Sequence, residues 1–187
     1  MTKIQVWTLQ PISVWERLQT DGVLYADLSL SPNPSLHDSF EWMRQQMLRR
    51  IPGCRGRFPW WGYHRPKPDL RKFRHVPQRV RKRSGETRQC VRLELSLDAS
   101  AVLLHDADAW DMSLIPGTIL FDAAQEAAYW NLLDAEQQRC IRETRERLFD
   151  IDALRRSLRY TEDHIEATFE RLALVDVVGI RQFLEYL

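Results

Sequence analysis

Residues 89–97, QCVRLELSL, alternate without a break: Val91, Leu93, Leu95 and Leu97 fall on one side, Arg92, Glu94 and Ser96 on the other. A period of two is the repeat of an extended strand with one buried face. Such a segment is stable only inside a sheet whose apolar face is covered by a second layer. Residues 3–9, KIQVWTL, repeat the pattern, with Ile4, Val6 and Thr8 on one side and Gln5, Trp7 and Leu9 on the other. VLYADL (23–28), FPWWGYH (58–64) and AVLLHD (101–106) are shorter extended segments. In FPWWGYH, alternation sends Trp60 to one face and Trp61 and Tyr63 to the other. AVLLHD follows the strongest strand after only a tight turn at Asp98, which predicts that the two pair.

Helix signals lie between the strands. Ser13 with Glu16 reads as a capping box, and Asp21 followed by Gly22 closes that helix. Asp38 with Glu41 caps a helix over 39–51 that turns Phe40, Met43, Met47 and Ile51 inward and ends at Pro52 and Gly53. DADAWDMSL opens a short helix. Asp122 with Gln125 and Asp134 with Gln137 open helices over 122–133 and 135–149, the second charged, with Glu143 and Arg147 at i,i+4 spacing. Residues 164–174 and 177–185 read as two closing strands, with a helix as the alternative for the first. The expected fold class is α+β: a single domain over 1–187 with a mostly antiparallel sheet and inserted helices. Seven Trp, seven Phe and five Tyr supply material for its core.

The net charge of +1 conceals an asymmetry. Residues 44–88 hold fifteen Lys and Arg against Asp69 and Glu86, a local net of +13; the remainder carries −12. Of the 27 basic residues 23 are Arg, the side chain that forks onto phosphate. A basic, Pro-punctuated loop is expected over about 64–88. Such a segment on an acidic body faces a polyanion, or docks on the acidic half of the same chain.

No apolar run reaches the ~20 residues of a membrane span. The N-terminal MTKIQVWTLQ has no apolar signal region, so a cytoplasmic location is expected. Cys54, Cys90 and Cys140 include no close pair, and the five histidines show neither HxxxH nor HxH spacing. No disulfide framework and no metal site is expected. The P-loop, GxGxxG, GxSxG, HExxH and deaminase signatures are absent.

Several segments are familiar in this order: VWTLQP, FEWMRQQMLRR, PWWGY, RPKPDLR, VRLEL, VLLHDADAW and ATFERLALVDVVGIRQF. Together they resemble an uncharacterised bacterial and phage family catalogued as a domain of unknown function. The resemblance covers nearly the whole chain and implies one domain; it implies little about activity. Ala107 stands where an aromatic residue is usual in that family.

Three groupings are candidates for function. The first is a nucleic-acid surface of Arg55, Arg57, Trp60, Trp61, Arg65, Lys67, Arg71, Arg74, Arg79, Arg81 and Arg83. Cations meet phosphates, and aromatic rings stack on the bases of RNA or single-stranded DNA; the competing reading makes the aromatics core residues of a strand. The second is Asp106, Asp108 and Asp111 beside Trp110, suited to Mg²⁺ or acid–base work, or more simply to capping the helix at DADAW. The third is Glu94, set in a strong strand, with Thr8, Gln10 and Tyr63.

The third grouping has a layout: polar first strand, helix, aromatic strand, then a strand carrying Glu. This layout resembles that of ADP-ribosyltransferases. The resemblance implies NAD as cofactor, Glu94 as the catalytic carboxylate that orients the nicotinamide ribose, and Thr8, Gln10 and Tyr63 lining the cofactor cleft. VWTLQ carries neither the His nor the Arg usual on the first strand of those enzymes. The expectation is therefore a cytosolic domain that engages nucleic acid and modifies it by NAD-dependent ADP-ribosyl transfer. The alternative is a non-enzymatic interaction module whose Arg-rich segment binds an acidic protein partner or nucleic acid.

Overall fold

Lys3–Pro11 (β1) lies in the interior of a six-stranded sheet, with Trp60–Arg65 (β3) on one side and Thr87–Asp98 (β4) on the other. Val102–Asp106 (β5) and Ile165–Phe169 (β6) extend it past β3, and Val177–Tyr186 (β8) closes the edge beyond β4. The order is β5-β6-β3-β1-β4-β8, and every neighbouring pair is antiparallel. Val23–Tyr25 (β2) and Arg171–Ala173 (β7) make a separate two-stranded ribbon. The helices are Ile12–Asp21 (α1), His37–Arg50 (α2), Ala107–Leu114 (α3), Ala123–Trp130 (α4), Asp134–Thr144 (α5) and Ile151–Arg156 (α6). This computed structural model describes residues 2–30, 34–65, 87–114, 119, 122–156 and 164–186. Among them no helix is long and apolar enough to cross a membrane. The result is the expected α+β domain with a mostly antiparallel sheet.

The alternation read in 89–97 sets the first face of the sheet. Val91, Leu93, Leu95 and Leu97 are buried, together with Val6 from β1 and Ala167 and Phe169 from β6. Leu18 of α1 and Leu24 and Leu172 of the ribbon cover them. Burying each large aliphatic side chain is worth about 1.5–3 kcal/mol. A one-residue slip of β4 against β1 would turn all four to the other face, so the register Val6↔Leu95, Thr8↔Leu93 is strongly specified. The second face is covered over β3, β6 and β5 by a helical layer. Met43, Ala109, Trp110, Leu148 and Leu154 form its core, with Phe40, Trp42, Trp61, Leu103 and Phe149 packed against them.

β4 and β5 do not pair, contrary to the sequence expectation. β4 lies between β1 and β8, whereas among the described residues β5 pairs only with β6, at the far end of the sheet. A 3₁₀ turn, Ala99–Ala101, joins them, with the Asp98 carboxylate accepting from the Ser100 backbone N–H at 3.1 Å. Four Cα steps reach about 14 Å at most. Four strand spacings in a flat sheet would need about 19 Å. The sheet therefore curls over its first face, and Leu97 and Val102 meet in one core.

Other boundaries also differ. α1 starts at Ile12 behind Pro11, with no side-chain cap, so Ser13 lies within its first turn. The Gly22 C-cap holds: at φ 73° its N–H donates to the Leu18 carbonyl at 2.9 Å. α2 starts at His37 behind Leu36 rather than at Asp38, and α5 has Leu133, not Asp134, at its N-cap. Asp122 does cap α4, accepting from Gln125 N–H at 2.8 Å. The helix expected over 135–149 ends at Thr144, whose hydroxyl donates back to Cys140 O at 2.8 Å; a 3₁₀ segment, Arg145–Phe149, follows. The strand expected over 164–174 breaks at Glu170 into β6 and β7. The ends of the expected basic loop belong to strands: residues 64–65 to β3 and 87–88 to β4. The rest of that loop lies outside the described residues.

Candidate active site

Residues directly opposite each other on neighbouring strands share a face. The register therefore lines up one transverse row on the second face: His105 opposite Glu166, Glu166 opposite Tyr63, Tyr63 opposite Trp7, Trp7 opposite Glu94 and Glu94 opposite Gly179. The chemistry gathers at the β5-β6-β3 end, where the helical layer covers the sheet. Glu166 retains 15% of its side-chain exposure, and its Oε2 is buried with no hydrogen-bond partner. Burial, and after it the charges of Asp111, Asp106 and Asp108, push its carboxyl up to about 8. His105 is wholly buried, with its Nδ1 4.0 Å from Glu166 Oε2; no partner lies in full hydrogen-bond geometry at either ring nitrogen, and the nearby Asp106 backbone acts on the ring more weakly than burial does. Burial pulls its imidazole down to about 4, so it is neutral at physiological pH.

Tyr63 stands on the other side of Glu166. Its ring stacks on His164, centroids 5.8 Å apart and planes 7° from parallel. Burial first, then the Glu166 and Asp111 carboxylates, raise its phenol. His164 Nδ1 lies 3.6 Å from Asp108 Oδ1. Asp106, at the end of β5, accepts from Ala109 N–H at 2.8 Å, the capping role expected from DADAW. Behind the row, Trp110 and Phe149 flank the His105 ring at 5.9 and 6.4 Å, and the Arg145 guanidinium lies 4.2 Å from the centre of the Trp42 ring. A carboxyl held near neutrality beside a phenol, two imidazoles and further carboxylates is equipped for acid–base chemistry. Among the described residues no group of three or more His, Cys, Asp or Glu has metal-binding geometry.

The residues expected from sequence are distributed unevenly around this row. Tyr63 is in it, next to Glu166. Glu94 is on the same face, turned away from Leu93 and Leu95 as the alternation requires, but Trp7 stands between it and Tyr63. Two strand spacings, about 10 Å, separate those two backbone positions. Thr8 and Gln10 belong by alternation to the first face, with Val6 and Leu93. There Gln10 Nε2 donates to Thr8 Oγ1 and Thr8 Oγ1 to the Trp61 carbonyl, each at 2.7 Å. The structure does not bring this pair to Glu94 and Tyr63.

Trp60 and Trp61 take opposite faces, as expected, and both are engaged in packing within the domain. Trp60 packs on the first core and donates to Leu24 O at 3.3 Å; Trp61 packs on Phe40 and Trp110, at 5.0 and 5.9 Å between ring centroids. That is the core reading weighed against base stacking. Arg55 and Arg57 have exposed side chains, and Glu170 Oε1 accepts from their backbone N–H groups at 2.7 and 2.9 Å. Arg65 is the last residue of β3. Lys67, Arg71, Arg74, Arg79, Arg81 and Arg83 lie outside the described residues.

Sequence reasoning missed Glu166 and His105, although a signal existed for Glu166. In HIEATF, His164, Glu166 and Thr168 alternate with Ile165, Ala167 and Phe169, the same pattern of a carboxylate inside a strand that singled out Glu94.

A family model described as "Domain of unknown function (DUF3841)" matches residues 5–174. No curated protein matches the chain, and no solved structure does. The matched span runs from β1 to the end of β7 and includes His105, Glu166, Tyr63, Trp7 and Glu94 of the transverse row; the chain belongs to this family of domains of unknown function.

Proposed function

We propose that this domain transfers an ADP-ribosyl group from NAD to nucleic acid, with Glu166 rather than Glu94 as the working carboxylate. The observation that carries the reading is the setting of Glu166, which stands directly opposite Tyr63 on the neighbouring strand and has an enclosed Oε2. Glu94 also faces an aromatic ring, Trp7, but lies two strands from Tyr63. The order of polar strand β1, helix α1, aromatic strand β3 and a carboxylate strand is kept, with β6 in the last place.

NAD supplies the ADP-ribosyl group and nicotinamide as its leaving group. The residues that would hold the nicotinamide riboside are Glu166 and Tyr63, with Trp7 alongside; the Glu166 side chain keeps 15% exposure beside Tyr63, which leaves it open to a ligand's hydroxyl groups. Glu166 must ionise to oppose positive charge at the reacting carbon, and the cationic nicotinamide ring favours that ionisation. Activity should therefore rise as the pH approaches 8. The polyanionic acceptor is supported by the net of +13 over residues 44–88.

The test begins with a thermal scan in the presence of NAD. A ligand at a hundred times its dissociation constant stabilises a fold by about 2.7 kcal/mol. Nicotinamide release is then measured with RNA and with single-stranded DNA. Glu166→Gln should keep the fold and lose release, whereas Glu94→Gln should keep both. Neither shift nor release would leave the non-enzymatic interaction module as the better reading. Release that survives Glu166→Gln would show that the carboxylate was misassigned.

A further inference from the structure

His105 and Glu166 are the two titratable residues in the row whose buried polar atoms have no hydrogen-bond partner. Oε2 of Glu166 and both ring nitrogens of His105 lack one, and Nδ1 and Oε2 are 4.0 Å apart. Leaving buried polar atoms unpaired costs more than a hydrogen bond between them returns, so the two groups are driven together. Apo structures often hold such pairs slightly long. The imidazole cannot swing elsewhere, because Trp110 and Phe149 pack against it and it has no exposed surface. Oε2 is enclosed while the side chain as a whole keeps 15% exposure, so the exposed part belongs to its other atoms.

We propose that His105 is a positioning residue for Glu166: while the carboxyl is protonated, its Nδ1 accepts the proton carried on Oε2, which fixes the rotamer before Glu166 ionises and leaves Oε1 as the oxygen that meets a ligand. The inference rests on the reading of Glu166 as the working carboxylate. The protonation states are complementary. Between pH 4 and 8 the imidazole is neutral and the carboxyl protonated, so one partner offers a lone pair and the other a hydroxyl hydrogen. The remaining groups around Glu166 are Tyr63 on β3, His164 just before β6, Asp106 at the end of β5, and Asp108 and Asp111 on α3. The three aspartates raise the carboxyl by their charge.

The experiment reads Glu166 directly, through the pH titration of its side-chain carboxyl by carbon-13 NMR on the full chain, independently of NAD turnover. An acceptor for the acid proton stabilises the acid form. His105→Phe keeps a buried ring and removes the acceptor, so the midpoint should fall by about one pH unit. His105→Asn, whose amide oxygen sits near the place of Nδ1, should restore most of it. The pH profile of nicotinamide release should move by the same amount. An unchanged or raised midpoint in His105→Phe, or an equal fall in both variants, overturns the proposal. Nitrogen-15 shifts of His105 in the unmodified chain give a second test that needs no variant: Nε2–H with a bare Nδ1 is expected, and a protonated Nδ1 overturns the proposal. A midpoint that falls in a protein releasing no nicotinamide supports the pairing and counts against the NAD reading alone.

Discussion

Asp106 carries a carboxylate yet is only 1% exposed. Burial raises its carboxyl, and the hydrogen bond from Ala109 N–H works in the opposite direction. A buried acid is tolerated at this position because α3 begins here with unpaired amides that need an acceptor. Asp106→Ala should lower the unfolding free energy by about 0.5–2 kcal/mol. Asp106→Asn, whose amide oxygen can accept the same hydrogen bond, should recover most of that in thermal melts. If both variants melted like the parent, the capping role would be wrong. This part of the site was legible in DADAW, because a cap is a contact across three residues. His105, one position earlier, was not: nothing local distinguishes a buried histidine facing a carboxylate from one facing solvent.

β3 approaches β1 unusually closely at Gly62. A Cβ there would lie 2.5 Å from Val6 Cγ1 and 2.9 Å from the Trp7 carbonyl. The second of these contacts is backbone, which cannot rotate away. Gly62→Ala must therefore push two central strands apart, at a cost of about 1–3 kcal/mol or more. Denaturant unfolding should show that loss, and proton NMR should show Tyr63 moving relative to Trp7. A variant as stable as the parent would mean that the strands are not so close. WWGYH reads as a strand in the sequence, but its glycine is explained only by the partner strand that comes within contact of it.

For the molecule as a whole, the buried pair makes stability depend on pH in opposite directions. Glu166 is raised from an ordinary 4.5 to about 8, so the folded chain keeps a proton that the unfolded chain releases. Its contribution is complete below pH 4.5 and is lost as pH rises through 8. His105 is lowered from 6.5 to about 4, so its neutral burial is opposed as pH falls from 6.5 through 4. Between pH 6.5 and 8 the Glu166 effect is the larger of the two. Unfolding free energy from denaturant titrations should fall across that window, and Glu166→Gln should flatten the curve. A parent protein equally stable at both ends would show that Glu166 is ionised in the fold.

The strands, their inward faces and the α+β class are in the sequence because a period of two is a local property: each residue's face follows from its neighbours in the chain. The opposite facing of Leu93 and Glu94, and of Trp60 and Trp61, needed nothing more. The charge asymmetry of residues 44–88 is likewise a matter of counting. Which strands lie side by side is not local. β5 follows β4 after a three-residue turn and would be taken for its hairpin partner, yet the curl of the sheet over Val6, Leu95 and Phe169 carries it to β6 instead. That long-range order decided the site. Two glutamates sit in comparable strands, and only the packing of two cores on opposite faces of one sheet set Glu166, rather than Glu94, between Tyr63 and His105.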